Sequence, residues 1–81
     1  MKIYKRQMDV LRFIDSFIDE HEYSPTLEEI AEGIGIESKG VVHGHVSRLR
    51  DKGLVTWQPK KTSTIKLTDT GNEQVRKGLP F

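Results

Sequence analysis

The stretch that decides the fold is Thr26-Leu27-Glu28-Glu29-Ile30-Ala31-Glu32-Gly33-Ile34-Gly35-Ile36-Glu37-Ser38-Lys39-Gly40-Val41-Val42-His43-Gly44-His45-Val46-Ser47-Arg48-Leu49-Arg50-Asp51-Lys52-Gly53. Thr26 and Glu29 have the spacing of a capping box, in which the hydroxyl accepts from the N3 amide and the carboxylate reaches back to the cap amide. Behind them Ile30, Ala31 and Ile34 share one face of a short helix, and Gly35 is placed to end it. Ser38 can cap a longer helix, from about Lys39 to Lys52, which Gly53 terminates. Its inward stripe is Val42, Val46 and Leu49, at i, i+4 and i+7. A short helix joined by a tight glycine turn to a longer one is the helix-turn-helix arrangement.

Before this run, Lys5 to His21 is amphipathic: Val10, Leu11, Ile14, Phe17 and Ile18 fall on one face, with Asp9, Arg12, Asp15, Ser16 and Asp19 elsewhere. Pro25 bars a continuous helix and biases Ser24 toward an extended conformation. After Gly53 the period changes. Leu54-Val55-Thr56-Trp57-Gln58 and Thr64-Ile65-Lys66-Leu67-Thr68 are β-prone and separated by Pro59-Lys60-Lys61-Thr62-Ser63, which predicts an antiparallel hairpin with a basic tip. Asp69 to Lys77 predicts one more short helix, with Thr70 and Glu73 as a second capping box and Gly78 and Pro80 as stops. The fold class is mainly α with a small β-hairpin (α+β), a winged helix-turn-helix of order helix-helix-helix-strand-strand with a short C-terminal helix. Residues 1–81 read as a single domain, with 5–67 as core and 68–81 as tail.

Composition excludes several function classes. A chain of 81 residues buries about 63% of its unfolded surface, enough for one thin core and no deep catalytic cleft. The absence of cysteine excludes disulfides, thiolate metal sites and thiol catalysis. No apolar run is long enough to span a membrane, and no apolar signal region follows the N-terminal lysine, so a cytoplasmic location is expected. His43 and His45 sit two apart on a helix and diverge by about 200°, so they cannot share a metal ion there. His45 reads as a packing residue, and His21 ends the first helix, where a positive ring suits the dipole. Ser16, Ser24, Ser38, Ser47 and Ser63 lie in no nucleophile-elbow context, and no phosphate-loop glycine pattern occurs. The expectation is a non-enzyme without cofactor or metal.

The net charge of +1 conceals an asymmetry. Residues 1–37 hold four basic and nine acidic side chains, whereas residues 38–66 hold seven basic and one acidic. A basic second half in a near-neutral protein fits a polyanion approached from one side, although an uneven solvated surface would look the same by charge alone. The long helix discriminates between them. With Val42 at 0° and 100° per residue, Gly40, Gly44, Ser47 and Asp51 fall at roughly 140–200°, opposite the buried stripe. His43 and Arg48 flank that face at roughly 100° and 240°, with Val41 near 260°. A small, polar and basic face suits a helix entering a major groove about 12 Å wide. Each interior glycine costs about 0.8–1 kcal/mol relative to alanine, and close approach to DNA gives Gly40 and Gly44 a reason, the plainer alternative being that Gly40 lies in the first turn, where the cost is smaller, and only Gly44 is anomalous. Val41 can meet a thymine methyl, and His43 a guanine or a phosphate. Arg48 and Lys52, farther along, suit phosphates. Lys60, Lys61, Thr62 and Ser63 give the hairpin tip donors for backbone oxygens, the plainer alternative being protection of an exposed edge. The start of the short helix at Thr26 can hold a phosphate. Trp57 reads as sheet or core packing.

Lys5-Arg6-Gln7, Ser24 to Ala31, Ser38 to Leu49 and Asp51 to Val55 together resemble the LexA repressor's N-terminal DNA-binding domain, over roughly residues 5–67. Val42-His43-Gly44-His45-Val46 is especially similar to LexA of Gram-positive type. The resemblance implies a DNA-binding transcriptional regulator, with base-reading positions on Ser38, Gly40, Val41, His43 and Gly44 and the wing tip on Lys60 to Ser63. Lys39 and Gly40 depart from the proline or serine and small polar residues more usual there. LexA's C-terminal half carries a self-cleavage site and a Ser/Lys peptidase that also drives dimerisation. Neither fits in this chain, so autocleavage is not expected of it. Thr68-Asp69-Thr70-Gly71 is more similar to the end of a stand-alone regulator of the MarR sort. The expected partner is double-stranded DNA, with a weak homodimer on palindromic sites and no membrane. The rival reading is a winged helix used for protein contacts, such as an adaptor subunit.

Overall fold

A computed structural model of the chain describes residues 4–58, 60 and 64–77. Four helices and two short strands follow in the order α1 (Lys5–His21), α2 (Leu27–Ile34), α3 (Lys39–Asp51), β1 (Val55–Thr56), β2 (Lys66–Leu67) and α4 (Asp69–Lys77). The strands pair antiparallel, Val55 with Leu67 and Thr56 with Lys66. The winged helix-turn-helix order is therefore present, with the short C-terminal helix behind it.

The caps that sequence spacing predicts are made. The Thr26 hydroxyl accepts from the Glu29 amide at 3.1 Å, and the Glu29 carboxylate accepts from the Thr26 amide at 2.8 Å. The Ser38 hydroxyl accepts from the Val41 amide at 3.4 Å. Gly35 and Gly53 close α2 and α3 in the left-handed region, at φ 74° and 75°, which glycine adopts without steric cost. Two side-chain bonds to backbone carbonyls secure the frame. Arg6 donates to the Ile34 carbonyl at 2.6 Å, at the end of α2 where backbone acceptors are left over. The buried Ser24 hydroxyl donates to the Ile65 carbonyl at 2.6 Å, tying the α1–α2 connection to the hairpin.

One core holds these elements together. Met8, Val10, Leu11 and Ile14 of α1 meet Ile30 and Ala31 of α2 and Val42, Val46 and Leu49 of α3, with Leu54, Val55, Trp57 and Ile65 of the hairpin region. Phe13, Ile18 and Ile34 pack partly buried against it. Inward residues alternate along the hairpin at Val55, Trp57, Ile65 and Leu67, while Thr56, Gln58 and Lys66 are exposed.

Two details differ from the sequence expectation. The strands are two residues long rather than five, because the Thr64 hydroxyl, accepting from the Gln58 amide at 3.1 Å and donating to its carbonyl at 3.2 Å, takes the place of ladder bonds beyond Thr56. The cap of α4 is Thr68, not Thr70: its hydroxyl accepts from the Gly71 amide at 3.0 Å and donates to the Gly53 carbonyl at 2.6 Å. Glu73 pairs instead with Lys77 at 2.8 Å, one turn on.

Gly71 marks the closest approach of α4 to the rest of the molecule, since a Cβ there would run into the Leu54 carbonyl oxygen. That oxygen also accepts from the Thr68 amide at 3.0 Å, so neither backbone can yield cheaply. Gly71→Ala is expected to destabilise the protein on the order of 1–3 kcal/mol, read as a lowered urea midpoint. An unchanged midpoint would mean that α4 stands off Leu54.

Candidate nucleic-acid interface

Burial of Val42, Val46 and Leu49 turns the opposite side of α3 outward. Lys39, Gly40, Val41, His43 and Arg48 are exposed, Gly44 and Ser47 are half-buried, and Ser38 sits exposed at the cap. Val41 is 49% exposed, one of the large apolar side chains that the described surface leaves in solvent. Among the described residues nothing requires glycine at positions 40 and 44. A Cβ at Gly40 would meet only Ser38 Oγ, and one at Gly44 only Arg48 Nη1, each at an ordinary 3.5 Å. Gly40 lies in the first turn of α3, but at interior Gly44 the helix-propensity cost of about 0.8–1 kcal/mol has no return among the described residues.

The cations separate into two groups. Lys39 lies 3.4 Å from Glu28 at the start of α2, an exposed pair worth little. Arg48 is exposed beside Gly44, Arg50 is exposed over the Trp57 ring, and Lys60 and Lys66 are exposed on the hairpin. Lys52 is placed otherwise. Its ammonium donates to the buried Gln7 at 2.6 Å and lies 5.1 Å from the Tyr4 ring centroid, joining the end of α3 to the start of α1. At the start of α2 the Thr26 amide and hydroxyl are both engaged by Glu29, with the Glu28 carboxylate beside them. Lys61, Thr62 and Ser63 lie outside the described residues.

The histidines have distinct surroundings. His43 meets Trp57 edge-to-face, ring centroids 4.7 Å apart and planes at 71°. His45 is partly buried, and its Nδ1 is buried without a hydrogen-bond partner among the described residues. Burial lowers its pKa below the usual histidine value, and Arg48 and Arg6 push the same way, so the ring is held neutral as a packing residue. His21 packs on Phe17, with centroids 4.2 Å apart, far from the α3 surface in sequence. Among the described residues no cluster of three or more His, Asp or Glu could hold a metal ion, and no helix is long and apolar enough to cross a membrane.

Two contacts escape a reading of the sequence. Arg50 shares the face of His43, seven residues earlier, a spacing legible on a helical wheel. That Trp57 lies against both is a tertiary fact without local signal.

The LexA DNA binding domain family matches residues 1–64, which takes in α1, α2, α3 and β1. The chain belongs to the LexA DNA-binding-domain family. It is 43% identical over 72 residues to the LexA repressor of Bacillus licheniformis, covering 89% of this chain and 35% of that protein. To the LexA repressor of Bacillus subtilis it is 43% identical over 68 residues, covering 84% of this chain and 33% of the relative. A Listeria monocytogenes LexA repressor is 42% identical over 73 residues, or 90% and 36%. The chain thus spans about a third of the length of these curated relatives. In this LexA-family domain, α4 lies beyond the matched region.

The lowered pKa of His45 sets a direction for acid stability. With the folded value depressed, the unfolded chain takes up the proton first as pH falls. Stability from this group is therefore complete above the usual histidine value of 6.5 and lost progressively below it. The urea midpoint is expected to fall between about pH 7.5 and about pH 5.5, and His45→Gln to flatten that fall. Identical profiles for the two proteins would assign the loss to other groups.

Proposed function

We propose that this LexA-family domain binds double-stranded DNA sequence-specifically and regulates transcription, acting as a repressor that blocks promoter access by occupancy. The observation that carries the reading is Gly44, an interior helical glycine on the outward face of α3 where a Cβ would be tolerated, meeting only the far end of the Arg48 side chain at an ordinary 3.5 Å. A surface that forgoes a side chain at the cost of helix stability is a surface something approaches closely. The exposed residues around it supply what a major groove needs, with Val41 for a methyl group, His43 as a polar reader and Arg48 for a phosphate. The names of the Bacillus and Listeria relatives agree, each being called a LexA repressor.

In this reading Ser38, Lys39, Gly40, Val41, His43, Gly44 and Ser47 enter the groove, and Arg48 contacts the backbone. Lys60 with Lys61, Thr62 and Ser63 clamps a neighbouring phosphate run. Thr26 steadies the α2 start against the duplex, and Lys52 supports α3 from its far end through Gln7. The domain works by binding alone, without cofactor, metal or catalysis. A second copy joins weakly on a palindromic site.

Selection of bound duplexes from a random pool is expected to return one consensus, palindromic if two copies bind. Bound sequences without a consensus, or absent binding, would favour the protein-contact reading. Gly44→Ala is expected to stabilise the free protein by about 0.5–1 kcal/mol while weakening its affinity for the selected duplex. Equal affinity would remove the close approach. Lys60→Ala with Lys61→Ala is expected to reduce the slope of log affinity against log salt by about two, and an unchanged slope would take the wing out of the interface.

A further inference from the structure

We propose that Trp57 is a positioning residue for DNA recognition, its indole holding the His43 imidazole and the Arg50 guanidinium in one fixed row where α3 meets the wing. The inference rests on the DNA-binding reading above and deepens it. Trp57 is only 9% exposed and anchored by the core, so its ring is a rigid reference. His43 stands edge-to-face on that ring at 4.7 Å, and the Arg50 guanidinium carbon lies 5.4 Å from its centroid. Seven residues of helix separate the two, about 10.5 Å of rise along one flank. Both side chains are exposed, so without the indole each would sample many rotamers and lose that freedom on binding. Packing against a buried ring removes part of that loss in advance.

The two contacts also suit different tasks. An edge-to-face ring contact fixes the plane of an imidazole, and so the direction in which its nitrogens present hydrogen bonds. A cation over an aromatic face keeps its full charge, since no carboxylate neutralises it. Among the described residues Arg50 makes no ion pair, so its charge is available to a phosphate. His43 then reads a base edge, and Arg50 holds the adjacent backbone at a set distance from it.

The test combines a binding cycle with a spectroscopic signature. The probes are the duplex selected from the random pool and a shuffled duplex of equal length. Trp57→Leu, which keeps an apolar side chain in the core, is expected to lower the preference for the selected over the shuffled duplex about tenfold, with Trp57→Phe restoring part of it. His43→Ala made in the Trp57→Leu protein is expected to add little to that loss. Arg50→Gln, at an exposed position that does not threaten folding, should reduce the salt slope by about one. In the free protein, the His43 ring protons should be displaced by the indole ring current and return to ordinary positions in Trp57→Leu. Additive losses from His43→Ala and Trp57→Leu, or equal losses on both duplexes, would overturn the positioning role, as would undisplaced His43 resonances in a protein that still prefers its selected sequence. A pool with no preferred sequence would overturn the DNA-reading proposal and this inference together.

Discussion

The rotation of α3 about its own axis is set by burial of Val42, Val46 and Leu49, and the composition of the outward face depends on it. Each of these side chains gains about 1.5–3 kcal/mol on burial, against about 0.2–1 kcal/mol for an exposed ion pair such as Lys39 with Glu28. Charge therefore has no vote in how α3 sits. A turn of one position, about 100°, would drive His43 or Val41 into the core and bring part of the apolar stripe out to solvent. Because apolar burial fixes the angle, the outer face is free to carry residues that contribute nothing to folding. Gly40, Gly44 and exposed Val41 are residues of that kind.

What was legible in the sequence follows from the range of the interactions concerned. The boundaries of α1, α2 and α3 rest on caps and periodicity within a few residues, and Thr26 with Glu29, Ser38, Gly35 and Gly53 act where their spacing places them. Local spacing does not separate Thr68 from Thr70 as the cap of α4, because both stand at the start of a plausible first turn. The choice falls to Thr68 through its bond to the Gly53 carbonyl, fifteen residues away. The strands are shorter than their β-propensity for a related reason: propensity does not reveal that the Thr64 hydroxyl intercepts the bonds of Gln58. At the candidate site, the helical wheel gives the outer face of α3, but it cannot show that the Lys52 ammonium is turned to Gln7, forty-five residues earlier. It is equally silent on the indole that links His43 to Arg50.

The acidic half of the chain completes the electrostatic picture. With a net charge of +1, the protein as a whole would feel almost no attraction to a polyanion. Yet at physiological ionic strength a charge acts over about 8 Å, while the molecule measures 27 × 24 × 21 Å. A phosphate backbone set against α3 and the hairpin, as proposed, would sense the exposed Arg48, Arg50, Lys60 and Lys66 more than charges lying beyond that range. The same argument makes the acidic elements useful. In the proposed DNA-binding reading, an encounter led by α1 would meet Asp15, Asp19 and Glu20 and be disfavoured relative to one led by α3. In that reading near-neutrality overall would limit indiscriminate adhesion to nucleic acid, while the separation of charge between elements would preserve attraction on one side. Lys39 and Glu28, paired at 3.4 Å, lie where the acidic α2 meets the basic α3.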